Sequence, residues 1–147
     1  MNYDELLDHI AQILTKNTED KLQQIVDLLQ KNMTHYSWVG IYVVKGNDLK
    51  LGPWNGPAAT EHTTIPIGKG ICGSAAATGK TEIISDVNAD NRYLSCFLST
   101  RSEIVVPIKN QERIIGEIDI DSDQTKAFTD KDKHFLEKVA DMLNEHI

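Results

Sequence analysis

Apolar residues recur along this chain with two different periods. Between residues 3 and 15, Leu6, Leu7, Ile10, Ile13 and Leu14 lie on one helical stripe. Over roughly 19–32, Leu22, Ile25, Val26, Leu28 and Leu29 form a second, with Thr18 placed to cap it. The period falls to two from Ser37 to Val44, where Trp38, Gly40 and Tyr42 share one face and Val39, Ile41 and Val43 the other. Lys45-Gly46-Asn47-Asp48 is turn-like and predicts a hairpin into Leu49–Leu51. Residues 52–62, with Gly52, Pro53, Gly56 and Pro57, read as a loop.

Ile65-Pro66-Ile67 predicts a short strand, and Gly68 and Gly70 lead into a short helix over Ile71–Thr78 that ends near Gly79. Thr81–Ser85 reads as a strand. Residues 86–100 have little periodicity, and such a segment inside a domain is often functional. Two clear strands follow, Glu103–Lys109 and Arg113–Asp121. Thr129 starts a last helix whose buried stripe is Phe135, Leu136, Val139, Ala140 and Leu143, and Thr129-x-x-Asp132 is a variant of the capping box. Helices at both ends and hairpin-linked strands between them predict an α+β fold. Its sheet is antiparallel, with the helices segregated to one face, and residues 1–147 form a single domain.

Composition narrows the class. Lys plus Arg is 15 against 22 Asp plus Glu, and this acidic balance, with no local basic stripe, argues against nucleic acid as a partner. No apolar run is long enough to span a bilayer, and the acidic N-terminus does not resemble a secretory signal, so the expected location is the cytoplasm. The five histidines show no HxxxH spacing and there is no CxxC, so no metal site is expected. The two cysteines, Cys72 and Cys96, are either inert core residues or redox-active thiols.

The strand Arg113–Asp121 carries the sharpest anomaly. Alternation puts Ile114, Gly116, Ile118 and Ile120 on one face and Ile115, Glu117, Asp119 and Asp121 on the other. Like charges in a row disfavour a strand. The face is therefore either solvated or the wall of a carboxylate-lined pocket that binds a cation or shares a proton. Asp119-x-Asp121-x-Asp123 opens like a calcium loop, but Gln124 and Asp130 stand where that loop needs Gly and Glu. The glycine-rich stretch Ile67–Gly73 lacks the full phosphate-loop pattern and reads as a tight turn or a weak anion site. Cys96 lies in the irregular segment, where Arg92 and Arg101 are its basic neighbours.

Taken together, Ser37-Trp38-Val39-Gly40-Ile41-Tyr42, Leu51-Gly52-Pro53-Trp54-Asn55-Gly56, Ile65–Gly73, Ser102–Pro107 and Ile118-Asp119-Ile120-Asp121-Ser122 resemble the free methionine-R-sulfoxide reductases, a GAF-domain family. The resemblance implies a GAF-like domain with Cys96 as catalytic nucleophile and Cys72 as a possible resolving thiol. It implies that Trp38 and Tyr42 hold the methyl end of the substrate, while Glu103, Asp119 and Asp121 form the polar side of the pocket. Glu103 or Asp119 is then the proton donor, and a sulfenic acid is the intermediate. The implied partners are free methionine sulfoxide, a thioredoxin-like protein or small thiol as external reductant, and a second copy in a homodimer, with no bound cofactor. The loop Pro57–Thr64, which holds a further cysteine in many members of the family, has none here. The alternative reading is a GAF sensor that binds a small molecule without turning it over.

Overall fold

The computed structural model describes residues 1–94 and 97–147, and its centre is a six-stranded sheet. The strands are β1 (Trp38–Lys45), β2 (Asp48–Asn55), β3 (Thr64–Pro66), β4 (Glu82–Ile84), β5 (Ser102–Asn110) and β6 (Arg113–Ser122). They run in the order β3-β2-β1-β6-β5-β4, and every neighbouring pair is antiparallel. The helices are α1 (Tyr3–Thr15), α2 (Lys21–Asn32), α3 (Gly70–Thr78) and α4 (Asp130–Leu143). No helix among the described residues is long and apolar enough to cross a membrane.

The two faces of the sheet are built differently. On one, Val39, Ile41, Ile104, Val106, Ile118 and Ile120 are buried beneath the stripes of α1, α2 and α4. Each such isoleucine is worth roughly 1.5–3 kcal/mol for leaving water, so this face supplies the main driving force for folding. Leu6, Ile10, Ile25, Leu29, Leu136 and Leu143, all at most 1% exposed, are the stripe positions that meet it. The expected antiparallel sheet with the terminal helices on one face is found. The short helix α3 departs from that pattern, because it packs on the opposite face through Ile71, Cys72, Ala75 and Ala76. Its run of small residues lets it lie close to the sheet.

Local chemistry explains the element ends. Asn2 caps α1 by accepting from the Glu5 N–H at 2.8 Å. The cap residue of α2 is Asp20 rather than Thr18, although its side chain makes no capping bond. α4 begins with the expected capping box, in which the Thr129 N–H donates to Asp132 Oδ2 at 2.9 Å. The other oxygen of Asp132 accepts from Tyr36 Oη and His35 Nε2, each at 2.8 Å, and from Tyr3 Oη at 3.2 Å. One carboxylate thus ties α1, the segment before β1 and α4 together. Burial pushes its pKa up, but the bonds from His35, Thr129 and Tyr36 outweigh burial and hold it at about 2.

Two bulges correct the simple reading of the strands. β2 continues through Gly52 and Pro53 to Asn55, where the sequence suggested a loop. Register slips between Gly40↔Trp54 and Tyr42↔Leu51, so Pro53, which has no N–H to give a ladder, sits in the bulge. On β6, Ile108 faces Gly116 but Lys109 faces Ile114, which leaves Ile115 as the extra residue. Beyond it the faces exchange. Ile115 packs with the helix-covered core and Ile114 with the α3 side, the reverse of uninterrupted alternation.

Candidate active site

Antiparallel register gathers the acidic residues into a patch. Across β1, β6 and β5, Trp38 pairs with Asp121 and Asp121 with Glu103. In the next row Gly40 pairs with Asp119 and Asp119 with Val105, and in the third Tyr42 pairs with Glu117 and Glu117 with Pro107. Glu103, Glu117, Asp119 and Asp121 all point to the α3 side, and none is more than 5% exposed. The face is therefore a buried wall rather than a solvated surface.

Aromatic rings form the adjoining wall. The Trp38 indole folds back over Gly40, where a Cβ would lie only 2.3 Å from its ring, so this position has to be glycine. Trp54 stacks on Trp38 at 6.1 Å between centroids, and Phe97 tilts against it at 6.0 Å. Tyr42 is 1% exposed, and its hydroxyl donates to the His62 carbonyl at 2.7 Å. Between the acids and these elements lies a cavity of about 20 Å³ lined by Tyr42, Ile65, Ile71, Cys72, Tyr93, Leu94, Glu103 and Asp119. That is room for about one water molecule.

The pocket brings together Tyr42, Cys72, Glu103 and Asp119, with Trp38 and Asp121 in adjoining rows. Cys96 lies outside the described residues. Sequence reasoning did not single out Tyr93 and Leu94, although both flank Cys96 in the chain. It also passed over Glu117, which it grouped with the acidic face but gave no role. Arg92 does not sit free beside the thiol, since its guanidinium is bonded to Glu82 and Asp90. Arg101 Nη1 donates to the Leu98 carbonyl at 2.8 Å.

Electrostatics makes this patch costly. The ion pairs of the described residues join His35 to Asp132 and Arg92 to Glu82 and Asp90, so no basic side chain among them neutralises the pocket acids. Burial, then repulsion from Asp119 and Asp121, pushes the Glu103 carboxyl well above its ordinary range. Its hydrogen bonds with Asp119 and Asp121 raise it further and lower the two aspartates in turn. Burial also raises Asp119, but the bonds it accepts from Glu103 and Cys72 work against that rise, so Asp119 ionises ahead of its neighbours. Asp121 is raised by burial and by Asp119, and it accepts from Thr100 Oγ1 at 3.1 Å. Glu117 is raised by burial and by Asp119.

The Cys72 thiol faces Glu103 Oε2 at 3.9 Å and lies against Glu117 and Asp119 as well. Burial first, and then these carboxyls together with Asp121, push it far up, so it is a neutral thiol. Its sulfur and one oxygen each from Glu103 and Asp119 lie within 4.8 Å of one another, a spacing that a cation could bridge. All three are buried. Among the described residues, Trp38 Nε1, Asp119 Oδ1, Asp121 Oδ1 and both oxygens of Glu117 have no hydrogen-bond partner.

An acid-lined, α3-covered face on a six-stranded antiparallel sheet defines the class. The GAF domain family model matches residues 3–147, so the chain is a GAF domain. A free methionine-R-sulfoxide reductase of Saccharomyces cerevisiae is 43% identical over 113 residues, which are 74% of this chain and 62% of that protein. One from Escherichia coli is 36% identical over 118 residues, covering 80% of this chain and 70% of that protein. The structure of a free methionine-R-sulfoxide reductase from Neisseria meningitidis, solved in complex with its substrate, superposes with a TM-score of 0.91 at 35% identity. The match covers 97% of this chain and 86% of that one. The chain belongs to the free methionine-R-sulfoxide reductase family.

Proposed function

We propose that this chain reduces free L-methionine-(R)-S-oxide to L-methionine, with Cys96 as the nucleophile and Glu103 as the proton donor. The observation that carries the reading is the buried sheet face on which four carboxyls, two of them lining the cavity, lack a basic partner among the described residues. A zwitterionic amino acid supplies the missing cation. Its ammonium pairs with Asp119 Oδ1 and Asp121 Oδ1 and its apolar end lies against Trp38 and Tyr42, for which the pocket must widen beyond the one-water cavity of this structure. Trp38 Nε1 is a buried donor for one of its oxygens.

The chemistry follows from the protonation pattern. The Cys96 thiolate attacks the sulfoxide sulfur, and the oxygen takes the proton that Glu103 holds. Oxygen passes to the cysteine sulfur, methionine leaves with its sulfur reduced by two electrons, and Cys96 becomes a sulfenic acid. A first external thiol condenses with the sulfenic acid, releasing water and forming a mixed disulfide. A second thiol restores Cys96 and leaves as a disulfide, and Glu103 regains its proton from solvent.

Cys72 is poorly suited to resolve the sulfenic acid. A resolving thiol must ionise, and its four acidic neighbours oppose a thiolate. This favours a thioredoxin-like protein or small thiol as the direct resolvent; the proposed enzyme is a cytoplasmic homodimer of one domain per chain without a bound cofactor. The test is methionine release from free R- and S-sulfoxide with dithiothreitol as reductant. The R epimer alone should be consumed. Equal use of both epimers, or release from neither, contradicts the assignment, and tight binding without turnover favours a sensor.

A further inference from the structure

Tyr93 and Leu94 line the pocket, yet few of the described residues between Asp86 and Thr100 are buried. Val87 and Thr100 are the deep anchors, at 0% and 5% exposed, and the described residues between them are half-buried or exposed. Val87 is tied to the sheet by its N–H, which donates to the Arg101 carbonyl at 2.8 Å. At the other end, Thr100 Oγ1 donates to Asp121. Between these anchors, core packing does little to define the course of the described residues.

Arg92 supplies that definition. Its Nη1 and Nη2 donate to the two oxygens of Glu82 at 3.0 and 3.1 Å, a parallel fork onto the edge strand β4. The same guanidinium donates to Asp90 through Nε at 3.1 Å and through Nη2 at 2.8 Å, and its backbone N–H donates to Asp90 Oδ1 at 2.9 Å. Glu82 pairs with Val105 on the pocket face of the sheet, so the fork is fixed to the same rows as the acids. Two residues further on, Leu94 lies over Gly70, where a Cβ would come within 2.8 Å of its side chain. The fork and this contact together aim the chain at the pocket mouth.

The geometry points to Arg92 as a positioning residue that clamps the chain leading into Cys96 to β4 and so governs the reactivity of the nucleophile. This rests on the reductase reading for its kinetic consequence. An isolated exposed ion pair contributes little to stability. A planar fork between two carboxylates instead fixes direction, which a lysine ammonium reproduces only in part. Misplacing a reacting group by about 1 Å costs up to ~100-fold in rate.

The experiment compares Arg92→Ala, Arg92→Lys and Glu82→Gln with wild type. It measures kcat and KM for free methionine-R-sulfoxide with dithiothreitol, the melting temperature, and the rate at which iodoacetamide alkylates Cys96, followed by peptide mass spectrometry. Arg92→Ala should lose ~10- to 100-fold in kcat/KM with an unchanged melting temperature. Arg92→Lys should recover part of the loss, Glu82→Gln should move the same way, and the alkylation rate of Cys96 should change severalfold. Kinetic constants and alkylation within about twofold of wild type would overturn the clamp. So would a loss that tracks the melting temperature with no recovery in Arg92→Lys. If wild type makes no methionine, the reductase reading fails by itself, and an unchanged alkylation rate then overturns the clamp independently.

Discussion

The same two strands, β5 and β6, present opposite faces that obey opposite rules. Toward α1, α2 and α4 they show Ile104, Val106, Ile118 and Ile120, a dry face whose only task is burial. Toward α3 they show Glu103, Glu117, Asp119 and Asp121, equally buried but lacking basic partners among the described residues. The first face contributes the stability that the second consumes, since burying carboxyls without compensation is costly. Such a cost is often kept where function needs it, and under the proposed reading the need is a set of acids that meets the ammonium of the substrate.

The largest contrast should come from exchanging single atoms on the acid face. Glu103→Gln removes the proposed proton donor without changing shape, and kcat should fall by ~10²- to 10⁴-fold, while the melting temperature should hold or rise. A Glu103→Gln protein that retains wild-type turnover would assign the proton to another group. The opposite face should answer in reverse. Ile118→Ala should lower stability by about 2–5 kcal/mol in denaturant titration, with activity per folded molecule little changed. A comparable loss of turnover there would show that the two faces are not separable.

pH sharpens the same comparison, because the two regions slope in opposite directions. The pocket acids have raised pKa values, so their contribution is complete below the ordinary carboxylate range and is lost as pH climbs through their folded values. Asp132 is the reverse case. Its pKa of about 2 lies below the ordinary 3.8, so its contribution is present above that value and is lost as pH falls through about 2. Melting curves should fall on both sides, and Asp132→Asn should flatten only the acid limb. Smallest in effect is Glu117→Leu, which replaces a fully buried acid by a similar apolar volume and should stabilise by about 1–3 kcal/mol. It should also flatten part of the alkaline limb. Destabilisation would mean that Glu117 has partners its surroundings do not reveal.

Much of this contrast was legible in the chain. The helical stripes of α1 and α4, the alternation of β1 and the acid row of β6 are local patterns, and periodicity reports them directly. The bulges at Pro53 and Ile115 were not legible, because a bulge is a property of two strands in register rather than of either one. The side of the sheet that α3 covers was hidden for a similar reason. Its residues are small and apolar all round, so no stripe betrays a buried face. Arg92 read as a neighbour of Cys96, whereas its carboxylate partners, Glu82 on β4 and Asp90 in the loop, become visible only once the chain is folded. The substrate itself came from resemblance, since acids and aromatics alone specify a zwitterion but not a sulfoxide.

The central claim is that Cys96, and not Cys72, performs the redox chemistry. Methionine release from free methionine-R-sulfoxide with dithiothreitol, for wild type, Cys96→Ser and Cys72→Ser, tests it most directly. The account predicts an active wild type, a dead Cys96→Ser and a Cys72→Ser that still turns over. An active Cys96→Ser would contradict it.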